Sequence, residues 1–244
     1  MILGTLSVSV IVVLWFILRY DMYRCEPLWA VALALVAGAA TMFLAGAISS
    51  RVLWWSWPEL DDPWWAFPLI ASGIEEPFKL GAVVCVMFAV RRCFDEPDDG
   101  LLYGAMVGLG AAAYESRAFV DLAQIPEIEL VAQNVARVLS HPVLTAIAAA
   151  PLGLRKVPRL RRWAWVLVVP TLGLSMSMHF AWNAMSVLAE AEGAARVSLN
   201  MAAIGIMIAG LGLLGLFLVL ASRMAEQDLG LRPVRKLWGW PFGS

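Results

Sequence analysis

Long apolar runs separated by short, charge-bearing joints make up most of the chain. A helix that crosses bilayer hydrocarbon needs about 20 mostly apolar residues. Seven stretches approach that measure: residues 2–18, 28–48, 68–90, 100–119, 137–154, 163–189 and 197–221. The pattern predicts an all-α polytopic membrane protein. Residues 1–225 form one helical domain with its core at about 68–189, and 226–244 form a basic cytoplasmic tail. The first run has no basic segment ahead of it and no small-residue cleavage site, and it ends at Arg19, so it reads as a retained helix and not a signal peptide.

Composition agrees with this picture: 61% of residues are hydrophobic and 15% charged, with mean hydropathy +0.76. Soluble domains carry nearer 25% charge. A balance of 18 basic against 19 acidic residues argues against nucleic acid as a partner. The placement of the cations says more. Arg19 and Arg24, Arg91 and Arg92, the group Arg155 to Arg162, and Arg223 to Lys236 follow the first, third, fifth and seventh runs. An outer N-terminus and a cytoplasmic C-terminus put all of these inside and leave only Arg51, Arg117, Arg137 and Arg196 outside. Cys25, Cys85 and Cys93 follow no metal or disulfide spacing and fall on or near the inner side, as reduced thiols would.

Two joints are more than connections. Trp54 to Phe67 holds five tryptophans around Glu59, Asp61 and Asp62, which suits an interfacial hairpin or short helix at the outer headgroup level. Asp121 to Arg137 mixes charge with Ile125, Ile128, Leu130 and Val131, and is expected to be an amphipathic surface element ahead of the fifth span.

Ionisable residues inside the spans are the anomaly, since each costs about 2.5–3.5 kcal/mol at mid-membrane on insertion scales. The third span holds Glu75, Glu76, Pro77 and Lys79. Glu75 and Lys79, four apart, are expected to pair, with Glu76 turned about 100° away. The fourth holds Gly104, Gly108 and Gly110, suited to close helix packing, and then Tyr114-Glu115. His141 and Thr145 share a face at the start of the fifth, and His179, Trp182 and Asn183 form a stripe on the sixth. With the assigned topology, the carboxylates and histidines reach a similar depth in the outer half of the membrane. Glu75 and Glu76 lie roughly 10–12 Å in, at 1.5 Å per residue. One polar cavity opening outward accounts for them together.

Such a cavity can activate water. A partly desolvated glutamate beside another carboxylate makes a general base, and Asn183 with a protonated His179 can donate to an oxyanion. No serine stands in a nucleophile-elbow setting, so hydrolysis of an amide by water is the expected reaction. No cofactor is required by this scheme, although Glu75, Glu115, His141 and His179 are also an acceptable zinc ligand set. A haem or proton carrier using the two histidines is the weaker alternative, because the inner halves of the helices are apolar.

Glu75-Glu76-x-x-Lys79, the glycine-rich fourth helix ending in Tyr114-Glu115, His141-x-x-x-Thr145 and His179-x-x-Trp182-Asn183 together resemble the four motifs of the PrsW family of intramembrane proteases. That family is similar in its core to the type II CAAX prenyl proteases and to the Aph-1 scaffold. Asp99-Gly100 resembles the family's opening of the fourth helix, while Ser116 and Ala111 depart from its usual asparagine and aromatic residue. The resemblance implies a glutamate-dependent endopeptidase of a bacterial-type cytoplasmic membrane, acting on a membrane-anchored protein such as an anti-sigma factor. It further implies that Glu75 activates water with help from Glu115, and that His179 and Asn183 form the oxyanion site with His141 supporting it. Glu76 and Lys79 then serve orientation and charge balance. An Aph-1-like non-catalytic scaffold and a metal-dependent protease using the same cavity are the alternatives. Substrate identity and oligomeric state are not encoded in these features.

Overall fold

The computed structural model describes residues 2–19, 26–56, 63–122, 127–191 and 196–231. Among these, every regular element is a helix: α1 (Ile2–Arg19), α2 (Leu28–Ser56), α3 (Ala66–Ala89), α4 (Asp99–Leu122), α5 (Glu127–Gly153), α6 (Ala164–Ala191) and α7 (Arg196–Leu229), with a 3₁₀ turn (Leu154–Lys156) after α5. Each expected span falls on one of them. Five, namely α1, α2, α5, α6 and α7, are long and apolar enough to cross a membrane by themselves. The chain is a multi-pass membrane protein. Large apolar side chains such as Ile11 and Trp15 on α1 and Val197 and Ile208 on α7 are exposed, as lipid-facing surfaces require.

Two expectations are corrected. No separate surface element precedes α5 among the described residues: α5 begins at Glu127 and runs unbroken past Arg137. No glycine or proline stands between those residues to stop it. The amphipathic pattern itself is present, with Ile128 exposed and Leu130 buried on the same helix. His141 accordingly lies well inside α5, about 21 Å from its first residue at 1.5 Å per residue, and not at its start. Likewise α2 extends to Ser56, carrying Trp54 and Trp55 as exposed residues of its last turn. The middle of the expected tryptophan hairpin (57–62), Cys25 and the tail from 232 onward lie outside the described residues. Cys85 and Cys93 are free thiols.

Small residues set the packing. α4 is buried from Leu101 to Ala112, between α2 and α5. A Cβ added at Gly110 would lie 2.0 Å from the Leu35 carbonyl of α2, and one at Gly108 would lie 2.3 Å from the His141 carbonyl of α5. Backbone-to-backbone approach at these points is available only to glycine. It also sets the position of His141. Gly108→Ala is therefore expected to push α5 outward, lowering resistance to unfolding by about 1–3 kcal/mol. Gly46→Ala is the control, because nothing lies within 4 Å of the added carbon. It should leave stability unchanged or raise it, and equal losses in both variants would contradict the packing account.

Candidate active site

α3, α4, α5 and α6 converge on one buried polar cluster. α3 continues through Pro77 and brings Glu75, Glu76 and Lys79 to it; all three are buried, and Glu76 and Lys79 are wholly enclosed. α5 contributes His141 and α6 contributes His179, both buried, with their rings edge to face at 5.4 Å between centroids. Glu115 reaches in from α4, its side chain 21% exposed.

The two adjacent glutamates have different surroundings. Glu76 is saturated. Lys79 Nζ stands 2.5 Å from its Oε1, His179 Nδ1 lies 2.7 Å from the same oxygen, and the Ser175 hydroxyl donates to Oε2 at 2.8 Å. Glu75 is open. Its Oε2 is buried without a hydrogen-bond partner, 3.9 Å from both Lys79 Nζ and His179 Nε2. The expected Glu75–Lys79 pair is thus corrected: Lys79 sits closest to Glu76. On a helix the i,i+3 and i,i+4 neighbours are equally reachable, and the groups that α6 presents to Glu76 draw the lysine there.

The remaining groups form a second chain. Lys79 Nζ is also 2.9 Å from His141 Nδ1, while His141 Nε2 is 2.8 Å from Glu115 Oε2. Glu115 Oε1 in turn faces Arg137 Nε at 3.2 Å. Two cations thus offset three carboxylates within the cluster, which limits the cost of burying it.

Three sequence-predicted residues stand apart from this network. Thr145 is fully buried with its hydroxyl lacking a hydrogen-bond partner. Trp182 lines a crevice between α5, α6 and α7, and Asn183 is half-buried with no hydrogen bond among the described residues. Ser175 and Arg137 are two residues of the network that the sequence did not mark as part of the site. Ser175 precedes His179 by one helical turn on the same face, a spacing that could have marked it.

Glu75, His141 and His179 each offer a donor atom, and these lie within 4.8 Å of one another; Glu115 is outside that triad. Glu75 and His179 suit a divalent ion of the zinc type, whereas His141, with Nδ1 facing Lys79 and Nε2 facing Glu115, would join them only by giving up one of those contacts. Glu75 supplies an unpartnered buried oxygen, and Glu76 holds His179 by Nδ1 so that Nε2 turns toward it. A carboxylate on the far nitrogen is the usual support of a ligand histidine.

A family model described as PrsW family intramembrane metalloprotease matches residues 26–221, which contain the whole cluster. The chain belongs to the PrsW family. It is a membrane protease, built in the PrsW manner on α2 to α7, with α1 ahead of the matched range. No curated protein and no solved structure matches it. Within this PrsW protease the buried cluster on α3 to α6 is one of two buried groups of ionisable residues; the other, Glu96, Asp98 and Asp99, lies at the start of α4, where Asp99-Gly100 has a packing role. Asp99 Oδ2 accepts from the Glu96 amide at 2.6 Å, and a Cβ on Gly100 would lie 2.5 Å from the Ala149 carbonyl.

Proposed function

We propose that this protease is an endopeptidase that cuts a membrane-anchored protein, such as an anti-sigma factor, near the outer leaflet, using water activated at Glu75. The observation that carries the reading is the contrast between the adjacent glutamates. Glu76 lies within hydrogen-bond distance of Lys79, His179 and Ser175, whereas Glu75 keeps a buried oxygen without a hydrogen-bond partner, near His179 and His141.

In this reading Glu75 takes the proton of the attacking water, with Glu115 as a second carboxylate linked through His141. His179, held by Glu76 at Nδ1, passes a proton from Nε2 to the departing amine. Asn183, one turn beyond His179, donates to the oxyanion. Glu76, Lys79 and Ser175 are positioning residues that fix the His179 ring, and Arg137 holds Glu115. Thr145 and Trp182 shape the surroundings from α5 and α6. Were a zinc-type ion held there by Glu75 and His179, those two would serve as ligands in place of base and acid, and the ion would supply the Lewis acid for the scissile carbonyl and a more acidic water, with Glu115 as the remaining carboxylate base. The full complement of Glu75, Glu76, Glu115, His141 and His179 argues against the scaffold alternative, because a scaffold need not keep every proton-transfer group.

The reading further takes all seven helices as spans, with the N-terminus outside and the C-terminus within a bacterial-type cytoplasm. α3 and α4 are not apolar enough to qualify alone, but most of their polar residues are enclosed by the other helices. The basic joints then face the cytoplasm and the Glu115–Arg137 side faces outward.

Chelation tests the metal. Treating purified protein with 1,10-phenanthroline should lower cleavage of a membrane-anchored substrate at least about tenfold, second-shell losses alone being of the order of 10–100-fold. Added Zn²⁺ should restore it. Undiminished cleavage in metal-free protein would remove the ion from the proposal and leave Glu75 as the sole water activator.

A further inference from the structure

A pocket of about 560 Å³ opens at the end of the bundle away from Glu115, where α3 and α5 end and α6 begins. Arg91, Arg155, Lys156 and Arg161 line it. Its floor is apolar, formed by Met87, Phe94 and Leu152. Among the described residues none of these four cations has a carboxylate partner, although nearby Arg159 is paired with Asp228 at 2.9 Å. Their contacts are instead with soft or aromatic groups. Arg155 donates to Met87 Sδ at 3.2 Å and lies 5.0 Å from the Trp165 ring centroid, while Lys156 lies 6.0 Å from that of Phe94. Arg155 and Lys156 are thus partly oriented without a direct carboxylate partner among the described residues.

The exposed aromatic residues beside this pocket suit the headgroup level of a membrane. Phe88, on its rim, is exposed, and so are Trp163 and Trp165 at the start of α6. Exposed tryptophans at helix ends favour the headgroup region. A concave site with an apolar floor, a rim continuous with the lipid-facing surface and four unpaired cations at headgroup depth matches one kind of molecule. We infer that this pocket binds the headgroup phosphate of an anionic phospholipid, with the acyl chains leaving past Phe88 and Trp165. Arginine guanidinium groups suit phosphate oxygens through paired donors, and clusters of this kind between membrane helices hold acidic lipid headgroups. The inference is independent of the protease chemistry, which lies at the other end of the helices. In the proposed orientation the lipid belongs to the cytoplasmic leaflet.

The test uses the full chain in neutral detergent micelles, titrated separately with phosphatidylglycerol, phosphatidylcholine and inorganic phosphate while thermal unfolding is followed. Saturable stabilisation by phosphatidylglycerol alone is expected. Arg91→Gln/Arg161→Gln should weaken that response at least tenfold in lipid concentration. Arg92→Gln/Arg162→Gln removes the same charge from exposed positions outside the pocket and should keep it. Equal stabilisation by phosphatidylcholine would overturn the proposal, as would an equal response to inorganic phosphate, which would indicate a soluble anion site. An equal loss in both double variants would also overturn it, by reducing the effect to net charge. The wild-type comparison of the three additives decides the matter even where a variant does not fold.

Discussion

In protein that folds and melts normally, Glu75→Gln is expected to reduce peptide-bond cleavage by roughly 10²–10⁴-fold, the range assigned to a positioned general acid–base group. Glutamine keeps the shape of glutamate but cannot take up a proton or bear the negative charge. Because Glu75 Oε2 has no hydrogen-bond partner and only 3.9 Å ion contacts with Lys79 and His179, its replacement should move the thermal transition less than replacement of Glu76 does. The loss should therefore appear in turnover and not in the amount of folded protein. Glu76→Gln differs in kind. It loosens the Lys79, Ser175 and His179 contacts, so it should lower turnover less, shift the pH–rate profile through the His179 ring, and reduce stability as well. A Glu76→Gln loss as deep as that of Glu75→Gln, with the fold unchanged in both, would reverse the roles assigned to the pair.

The second large effect concerns stability. Lys79 is wholly enclosed and faces Glu76 at 2.5 Å, so Lys79→Met leaves a carboxylate buried without its ammonium partner. Breaking a buried ion pair on one side costs about 3–5 kcal/mol, while replacing both partners with uncharged groups of similar size is often neutral. Lys79→Met should accordingly be strongly destabilised against unfolding in mixed micelles. Adding Glu76→Gln should recover part of that loss, giving a coupling energy of about 1–3 kcal/mol. Simple additivity of the two changes would show that the pair does not act as a unit. His179 contacts the same glutamate oxygen, so recovery in the double variant is expected to be partial.

How far the sequence anticipated these results differs by level. Helix existence was legible because apolar runs of membrane length leave few alternatives, and Ile2–Arg19 and Asp99–Leu122 lie close to their expected limits. Helix ends were less so. Polar and aromatic residues past Ile48 and before Arg137 look like joints, yet nothing in them breaks a helix, and α2 and α5 continue through. The convergence of Glu75, Glu76, Glu115, His141 and His179 could be argued from their common depth. Which carboxylate is used up and which stays open could not. That choice depends on Ser175 and His179 reaching Glu76 across the α3–α6 contact, and on Gly108 letting His141 come within reach of Lys79. Local spacing on one helix carries no information about those approaches. The basic pocket was visible only as positive charge after the third and fifth apolar runs, because its concavity arises where α3 and α5 end and α6 begins.

The most direct test of the central claim is cleavage by purified protein in liposomes with a single-pass membrane protein that the wild type cuts, carried out in ¹⁸O-labelled water and read by mass spectrometry. The account predicts two products from wild type, one ¹⁸O in the new carboxylate after a single turnover, and no adduct on the enzyme. Folded Glu75→Gln in the same liposomes should give no product above background. Product formation by Glu75→Gln at the wild-type rate, or a covalent acyl-enzyme on the wild type, would contradict it.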